Sequence, residues 1–263
     1  MNRLIKTTEE IALIREGGKK LGKILSKLGS AVKPGLTTKD LEVMALALIH
    51  KAGGRAAFKN YRPSSDSEPF PTALCISIDE EIVHGPAMPE RILQAGQIIS
   101  IDIGMEYPIV GSKKGYFTDT ALTVPVGKID KKTKLLLKKT KEGLYAGIKM
   151  VKPGATLDDI GTAIEAVAKA NNLGVVRDLV GHGVGLEVHE EPQVPNYHFN
   201  SGEFPNVKLE AGMIIAIEPM FTLGGWKIKV ADDGFTFVTA DHSLSAHFEH
   251  TVLVTSKGYE ILT

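Results

Sequence analysis

The sequence repeats its own pattern along its length. Residues 31–57 (AVKPGLTTKDLEVMALALIHKAGGRAA) and 150–176 (MVKPGATLDDIGTAIEAVAKANNLGVV) share a VKPG motif, a short polar stretch and an alanine-rich segment. Two further pairs of similar segments follow in the same order: 93–104 with 209–220, and 117–124 with 248–255. A repeat of this length predicts two similar halves, approximately 30–125 and 150–256, packed together as one domain of residues 1–263.

The aligned segments of both halves carry acids at matching points. The alignment places Asp102 against Glu218, and Asp119 against Glu249. Asp102 follows the apolar IISI and Glu218 follows IIAI, and a carboxylate buried without a partner costs several kcal/mol. Four carboxylates that converge also repel one another unless cations lie among them. The repeat therefore predicts a metal site shared between the halves.

Composition narrows the class of protein. The chain is 43% hydrophobic and 24% charged, which is typical of a globular domain, and its formal net charge is zero. That balance favours neither nucleic acid nor an anionic membrane as the main partner. The single Cys75 fits a reducing compartment, and the charged N-terminus has no signal-peptide core. With no apolar run long enough to cross a bilayer, we expect a soluble cytoplasmic protein.

Hydrophobic periodicity predicts three helices. The first is an amphipathic helix at 8–29, opened by a capping box of Thr7 and Glu10. The other two, at 38–52 and 157–171, each follow Pro-Gly and a threonine-containing start.

β-Branched residues predict strands at 72–78, 97–104, 116–124, 213–219, 227–231 and 247–254. The turn-like GSKKG (111–115) places Asp102 and Asp119 on adjacent strands of one hairpin, and DDG (232–234) is a similar turn in the second half. We expect an α+β domain with a curved, antiparallel-rich sheet, helices on its outer face and a site on its concave face.

Three histidines are further candidates. His182 lies between glycines in GHGVGLEVHEEP (181–192), where something can approach the backbone closely, and His189 follows seven residues later. In a continuous strand this spacing puts them on opposite faces, so only a bend at the glycines brings both to one site. His84 precedes Gly-Pro. On the residues alone, a glycine-rich turn with surface histidines is the alternative to ligands or acid–base groups.

Five separated motifs carry a family resemblance. DIG, FTDTALTV, GHGVGLEVHEEPQV, IEPM and SLSAHFEHTVLVT resemble, in this order, the motifs of type I methionine aminopeptidases. The resemblance runs from about residue 8 to the final ILT. It implies the pita-bread fold, with two pseudo-symmetric halves, and a centre of two divalent metal ions. Its implied ligands are Asp102, Asp119, His182, Glu218 and Glu249, with Asp119 and Glu249 bridging the ions.

The resemblance also implies a mechanism. A metal-bridging hydroxide attacks the first peptide bond, Glu218 carries the proton, His189 hydrogen-bonds the scissile carbonyl, and His84 contacts the peptide nitrogen. Four carboxylates balance the charge of two divalent cations, leaving room for one hydroxide. Oxygen ligands with one imidazole suit Mn, Fe(II), Co or Zn equally.

The implied substrate pocket departs from the family pattern. Its lining residues are Phe70, Cys75, Val188 and Phe235. Tyrosine, phenylalanine and tryptophan are common at the positions of Phe70, Val188 and Phe235, so this pocket is apolar but less aromatic. A smaller lining predicts weaker selectivity, because pocket shape is worth only ~1–3 kcal/mol per methylene. His247 replaces a common glutamine. It is expected either to point into the site on the same strand face as Glu249, or to be solvated or placed beside a ligand outside the site. Three segments look longer than usual: 61–69, 105–116 and 226–233.

Three functions compete at this stage. The first is removal of the initiator methionine from methionyl peptides and nascent chains, the second a proline-directed peptidase of the same fold, and the third a non-catalytic binding protein. The presence of all five ligands opposes the third, and the EEPQV and SLSAHFEHT motifs favour the first. By resemblance we expect a monomer that contacts the ribosome, with no nucleic acid as substrate and no membrane partner.

Overall fold

A computed structural model describes residues 3–200 and 202–263, in which two helices are followed by five strands, and two more helices by ten strands. The helices are α1 (Thr8–Ala31), α2 (Thr38–Ala52), α3 (Lys131–Met150) and α4 (Leu157–Lys169). The strands are β1 (Arg55–Ala56), β2 (Leu74–Ile78), β3 (Glu81–Val83), β4 (Ile98–Tyr107), β5 (Tyr116–Pro125), β6 (Gly174–Val175), β7 (Gly181–Gly183), β8 (Glu190–Val194), β9 (Ile214–Ile217), β10 (Met220–Thr222), β11 (Ile228–Val230), β12 (Phe237–Thr239), β13 (Ser245–His247), β14 (His250–Val254) and β15 (Tyr259–Ile261).

Three of the helices were predicted, and capping explains where they begin. Thr7 and Glu10 form the expected capping box at α1. Thr37 and Thr156 open α2 and α4 with equivalent boxes, so the similar segments of the two halves begin their helices in the same way. The sequence analysis missed α3. Its lysine-rich surface hides a buried stripe of Leu136, Leu144 and Ile148.

The first half contains the expected hairpin. Strands β4 and β5 pair in antiparallel register from Ile98↔Pro125 to Tyr107↔Tyr116, and the turn between them includes GSKKG. Ile99, Ile101 and Ile103 pack against α1 and α2 in one apolar core. Because side chains alternate along a strand, Asp102 points to the face away from these helices.

The second half repeats this arrangement with interrupted strands. Ile215 and Ile217 of β9 share an apolar core with α3 and α4. The predicted strand 213–219 stops at Ile217 and resumes as β10 at Met220, and the predicted strand 247–254 breaks between β13 and β14. Continuous strands were therefore a wrong prediction for both segments. β9 pairs with β14, and β10 pairs with β13, so the two breaks lie side by side.

The remaining strands include two further hairpins. β11 and β12 form a hairpin around the predicted DDG turn, and β12 also pairs with β3. β7 and β8 form a second hairpin, and β7 joins the sheet of β9 and β14. No helix in the described ranges is long and apolar enough to span a membrane.

Candidate metal centre and cavity

Both halves of the chain contribute carboxylates to one cluster. Asp102 faces Ala121, and Asp119 faces Gly104, in the β4–β5 register, so the two acids lie diagonally on one face of the hairpin. Glu218 and Glu249 occupy the side-by-side breaks of the second-half strands. A backbone link joins the two regions, since Glu249 N donates to Ala121 O at 3.0 Å.

The cluster is close enough to hold metal ions. Asp102, Asp119 and Glu249 form one group whose ligand atoms lie within 4.8 Å of one another, and His182, Glu218 and Glu249 form another. One oxygen each of Asp102, Asp119 and Glu249 is buried without a hydrogen-bond partner among the described residues. Buried carboxylate oxygens without a protein partner are free to bind a cation, for which carboxylates are common ligands.

The electrostatics of the cluster point the same way. Burial raises the pKa of Asp102 to about 8, and the charge of Glu218 adds to the rise. Burial first, and repulsion within the cluster second, raise the pKa of Asp119, Glu218 and Glu249 well above the usual range. A divalent cation among these groups would offset both the desolvation and the repulsion. The donor set therefore fits metal ions.

His182 supplies the nitrogen of the set. Its Nε2 lies 3.5 Å from Glu218 Oε1 and 3.8 Å from Asp119 Oδ2. Its Nδ1 is 2.9 Å from Gly183 O, so Nδ1 carries the proton and donates to that carbonyl. Burial, and then the neighbouring His189, lower the pKa of His182 to about 3. A neutral imidazole with a free Nε2 lone pair is the form that binds a metal.

His182 and His189 converge despite their odd spacing. His182 lies on β7 and His189 ends the turn that leads into β8, and their ring centroids are 4.5 Å apart at an interplanar angle of 81°. The bend that the sequence required is the turn at 184–189. His189 Nδ1 lies 2.8 Å from the hydroxyl of Tyr61, a contact that no sequence pattern indicated. The other ring nitrogen is therefore free to face the cluster, where one His189 nitrogen lies within 4.8 Å of ligand atoms of Asp119 and His182.

His84 lies on the wall of the same cavity. It follows β3 with a φ of 60°, in the left-handed region, and its ring meets Phe237 edge-on at 5.5 Å. Burial lowers the pKa of His84 to about 4. A non-glycine residue held in this conformation next to a site is often functional, because the surroundings must offset the strain.

A cavity of about 1010 Å³, open to solvent on one side, lies above the acids. Phe70, Cys75 and Phe235 line it, and the rings of Phe70 and Phe235 meet edge-on at 5.7 Å. Val188, which the sequence analysis assigned to the pocket, is buried in the same apolar cluster but is not part of the cavity lining. The wall also contains Tyr61 and Phe237 together with Phe58, Leu179 and Met220, none of which the sequence analysis identified.

His247 is buried rather than solvated. Its side chain is 1% exposed, and its Nε2 lies 3.6 Å from Glu218 Oε2. Both ring nitrogens lack a hydrogen-bond partner among the described residues. Of the expectations for His247, the one that places it beside a ligand agrees with this geometry.

Comparison with known proteins identifies the family of this chain. Residues 12–256 match Metallopeptidase family M24. Methionine aminopeptidase 1 of Bacillus subtilis is 40% identical over 262 residues, which cover 99% of this chain and 98% of that protein. The crystal structure of methionine aminopeptidase from Thermotoga maritima superposes with a TM-score of 0.90 at 40% identity, covering 100% of this chain and 99% of that one.

A more distant likeness concerns the fold alone. The prolidase from Pyrococcus horikoshii OT3 has a TM-score of 0.75 at 21% identity, covering 99% of this chain but 63% of that chain. The expected α+β pita-bread architecture is confirmed by these neighbours. With a family match across most of its length and a full-length relative at 40% identity, the chain belongs to metallopeptidase family M24 and, within it, to the methionine aminopeptidases.

Proposed function

We propose that this protein is a metal-dependent aminopeptidase that removes the N-terminal methionine from peptides and newly made proteins. The observation that carries the proposal is the cluster of three buried carboxylates, the half-buried Glu218 and one neutral imidazole beneath an apolar cavity. Such a set would be costly in a protein that binds no cation. The acids lose their hydration, and no protein cation lies beside them among the described residues. The full-length relatives named methionine aminopeptidase add independent support.

The metal centre is proposed to hold two divalent ions. Asp102, Asp119, His182, Glu218 and Glu249 would be the ligands. Asp119 and Glu249 share a group with Asp102 and also occur in groups with His182, which suits residues that bridge two ions. Four carboxylates balance two divalent charges, and the donor types suit Mn, Fe(II), Co or Zn. When bound, such ions supply a Lewis acid for a carbonyl and a water whose pKa is lowered towards neutrality.

The remaining chemistry is assigned to side chains of the cavity. Glu218 would accept the proton of the attacking water and pass it to the departing amine, since it lines the cavity and its side chain is 13% exposed, against 6% for Asp119. His189 would donate a hydrogen bond to the scissile carbonyl and to the oxyanion that develops there. His84, on the facing wall, would contact the peptide nitrogen.

Phe70, Cys75 and Phe235 would surround the methionine side chain. Their apolar surfaces suit an unbranched thioether, and a methionine can adapt its rotamer to an imperfectly shaped pocket. Because Val188 lies outside the lining, it would influence selectivity through Phe70 and its other neighbours in the apolar cluster rather than by direct contact.

We extend the proposal to the setting of the enzyme. Residues 1–263 would act as one catalytic domain, with halves at approximately 30–125 and 150–256 and the metal centre between them. The protein would work as a monomer in the cytoplasm, in contact with the ribosome, on nascent chains whose methionine has just emerged.

A peptide panel tests the proposed function. Chelator-treated protein is reconstituted with Mn, Fe(II), Co or Zn and assayed on Met-Ala-Ser, Leu-Ala-Ser and Ala-Pro-Ala. The proposal predicts cleavage of Met-Ala-Ser that depends on metal and far exceeds cleavage of Leu-Ala-Ser. Preferred cleavage of Ala-Pro-Ala would identify a proline-directed peptidase. Silence on all three peptides with every metal would leave the binding-protein hypothesis.

A further inference from the structure

A buried ion pair outside the acid cluster joins the start of the chain to the turn that carries His189. Lys6 Nζ lies 2.6 Å from Glu190 Oε2, and both side chains are 1% exposed. The pair connects residues 184 positions apart. An ion pair this deeply buried contributes little net stability compared with apolar packing. Stability alone therefore does not explain why the pair is present.

The hydrogen-bond capacity of Lys6 is fully used. Besides Glu190, its ammonium donates to Arg3 O at 3.2 Å and to Leu4 O at 3.5 Å. The backbone of Lys6 is itself attached to the sheet, because its N–H donates to Gly212 O at 2.9 Å. The ammonium is therefore fixed in position by the chain segment just before α1 and by the sheet beneath it.

Glu190 passes this constraint to the turn, which we call the His189 turn (residues 184–189). Its second oxygen, Oε1, accepts hydrogen bonds from the backbone N–H groups of Leu186 and Glu187. Gly185 has a φ of +135°, and a Cβ at that position would lie 3.0 Å from the Lys6 stem. The turn is thus shaped around the Lys6 side chain, with a glycine where the two approach most closely.

The far side of the same turn is less constrained. Gly185 O accepts from Phe117 N at 2.8 Å, and Glu187 pairs with Lys114, but both of those charged side chains are more than half exposed. An exposed pair is screened by water and holds its partner weakly. The start of the turn is attached to the sheet, where Val184 N donates to Ile214 O at 3.2 Å, and the buried Lys6–Glu190 pair holds its middle at Leu186 and Glu187.

We propose that Lys6 and Glu190 are positioning residues for catalysis: the pair fixes the His189 turn so that His189 and His182 face one point of the cavity. This inference rests on the proposed function, because it assumes that His189 contacts the substrate. Lys6 lies outside the cavity lining; Glu190 borders the cavity, but its two carboxylate oxygens are occupied by Lys6 and by the turn amides. They act through the backbone of residues 186–189.

The test compares Lys6→Met, Glu190→Gln and the double variant with a matched control pair. The control is the ion pair of Arg15 in α1 and Glu260 in β15, whose Nε and Oε1 atoms are 2.8 Å apart. Both residues lie outside the cavity lining. The control variants are Arg15→Met and Glu260→Gln. Each protein is characterised by metal content, kcat and KM on Met-Ala-Ser, thermal midpoint, and hydrogen exchange of the Leu186 and Glu187 amides.

Positioning predicts a specific pattern. In Lys6→Met, kcat falls by about 10- to 100-fold while KM and metal content stay near wild type, because a reacting group displaced by about 1 Å loses that much. The Leu186 and Glu187 amides exchange faster in this variant and unchanged in the controls. The kcat of the double variant equals that of the less active single variant, because the pair acts as a unit. It also guards against misfolding, since it buries no unpaired charge.

Two results would overturn the proposal. One is a kcat within about twofold of wild type in a Lys6 or Glu190 variant whose turn amides exchange faster, which separates turn order from catalysis. The other is a kcat loss that matches the loss in the Arg15 and Glu260 controls, which reduces the pair to a structural role. If the wild-type protein itself cleaves no peptide, the proposed function fails instead, and the hydrogen-exchange pattern still reports on the pair.

Discussion

Metal-free protein should lose stability as pH rises, and Asp102→Asn should remove much of that loss. The pKa of Asp102 is raised from 3.8 to about 8 in the folded state. A raised folded-state pKa means that stability is complete below pH 3.8 and is lost as the pH climbs through the folded value. Between pH 3.8 and pH 7 the loss is about 1.4 kcal/mol per pH unit, or on the order of 4 kcal/mol for this carboxyl.

The asparagine variant keeps the shape of the side chain and removes its titration. It also removes the Asp102 charge that contributes to the raised pKa values of Asp119 and Glu249. Chelator-treated Asp102→Asn should therefore be more stable than chelator-treated wild type at pH 7 to 8, and the advantage should shrink towards pH 4. Added Mn should reverse the order, because binding to the folded state stabilises wild type by mass action.

The assay is urea unfolding followed by circular dichroism at unit steps from pH 5 to pH 8, with and without metal. Asp130→Asn is the control: Asp130 caps α3 away from the cavity, and asparagine is an equally good cap. The control should keep the wild-type pH dependence. If the free energy of unfolding of metal-free wild type and of Asp102→Asn depended on pH in the same way, the claim that burial disfavours the ionised form of these acids would be refuted.

Three further perturbations have defined outcomes. Tyr61→Phe removes the hydroxyl beside His189 Nδ1, so it should lower kcat by about tenfold at unchanged metal content and shift the His189 tautomer seen by ¹⁵N NMR; an unaltered tautomer would contradict this. Phe235→Trp restores aromatic surface and should raise the Met-Ala-Ser to Leu-Ala-Ser ratio of kcat/KM several-fold, whereas an unchanged ratio would place Phe235 outside the methionine pocket. Thr156→Ala deletes the capping box of α4 and should cost about 1 kcal/mol in urea unfolding without changing kcat; a larger loss of activity than of stability would be against a purely capping role.

Most of the correct predictions about the acid cluster and the helices came from the repeat in the sequence. Matching acids at aligned points of the repeat predicted a shared cluster from the residues alone, and the structure adds that Asp102 lies on the face opposite the helix-packing isoleucines. The capping box at Thr7 and the threonine-containing starts after the two Pro-Gly pairs predicted the first residues of α1, α2 and α4 where the structure has them. These signals are local or depend on the pleat of one strand, and local patterns are visible in one sequence.

The parts that escaped prediction depend on long-range contacts. The breaks beside Glu218 and Glu249 arise where two strands meet the site together, and a strand pattern rich in β-branched residues does not reveal them. Tyr61 reaches His189 across 128 positions, and Lys6 reaches Glu190 across 184. The periodicity of a single segment carries no information about such pairs, so they required the three-dimensional structure.

Metal stoichiometry tests the central claim of a two-metal centre shared by the halves. Chelator-treated wild type and Glu249→Ala are titrated with Mn under anaerobic conditions, and bound metal is measured by calorimetry and elemental analysis. A two-metal centre predicts two bound ions per chain in wild type. When the proposed bridging carboxylate is removed, fewer ions should bind, and with lower affinity. A wild-type chain that binds no more Mn than Glu249→Ala would contradict it.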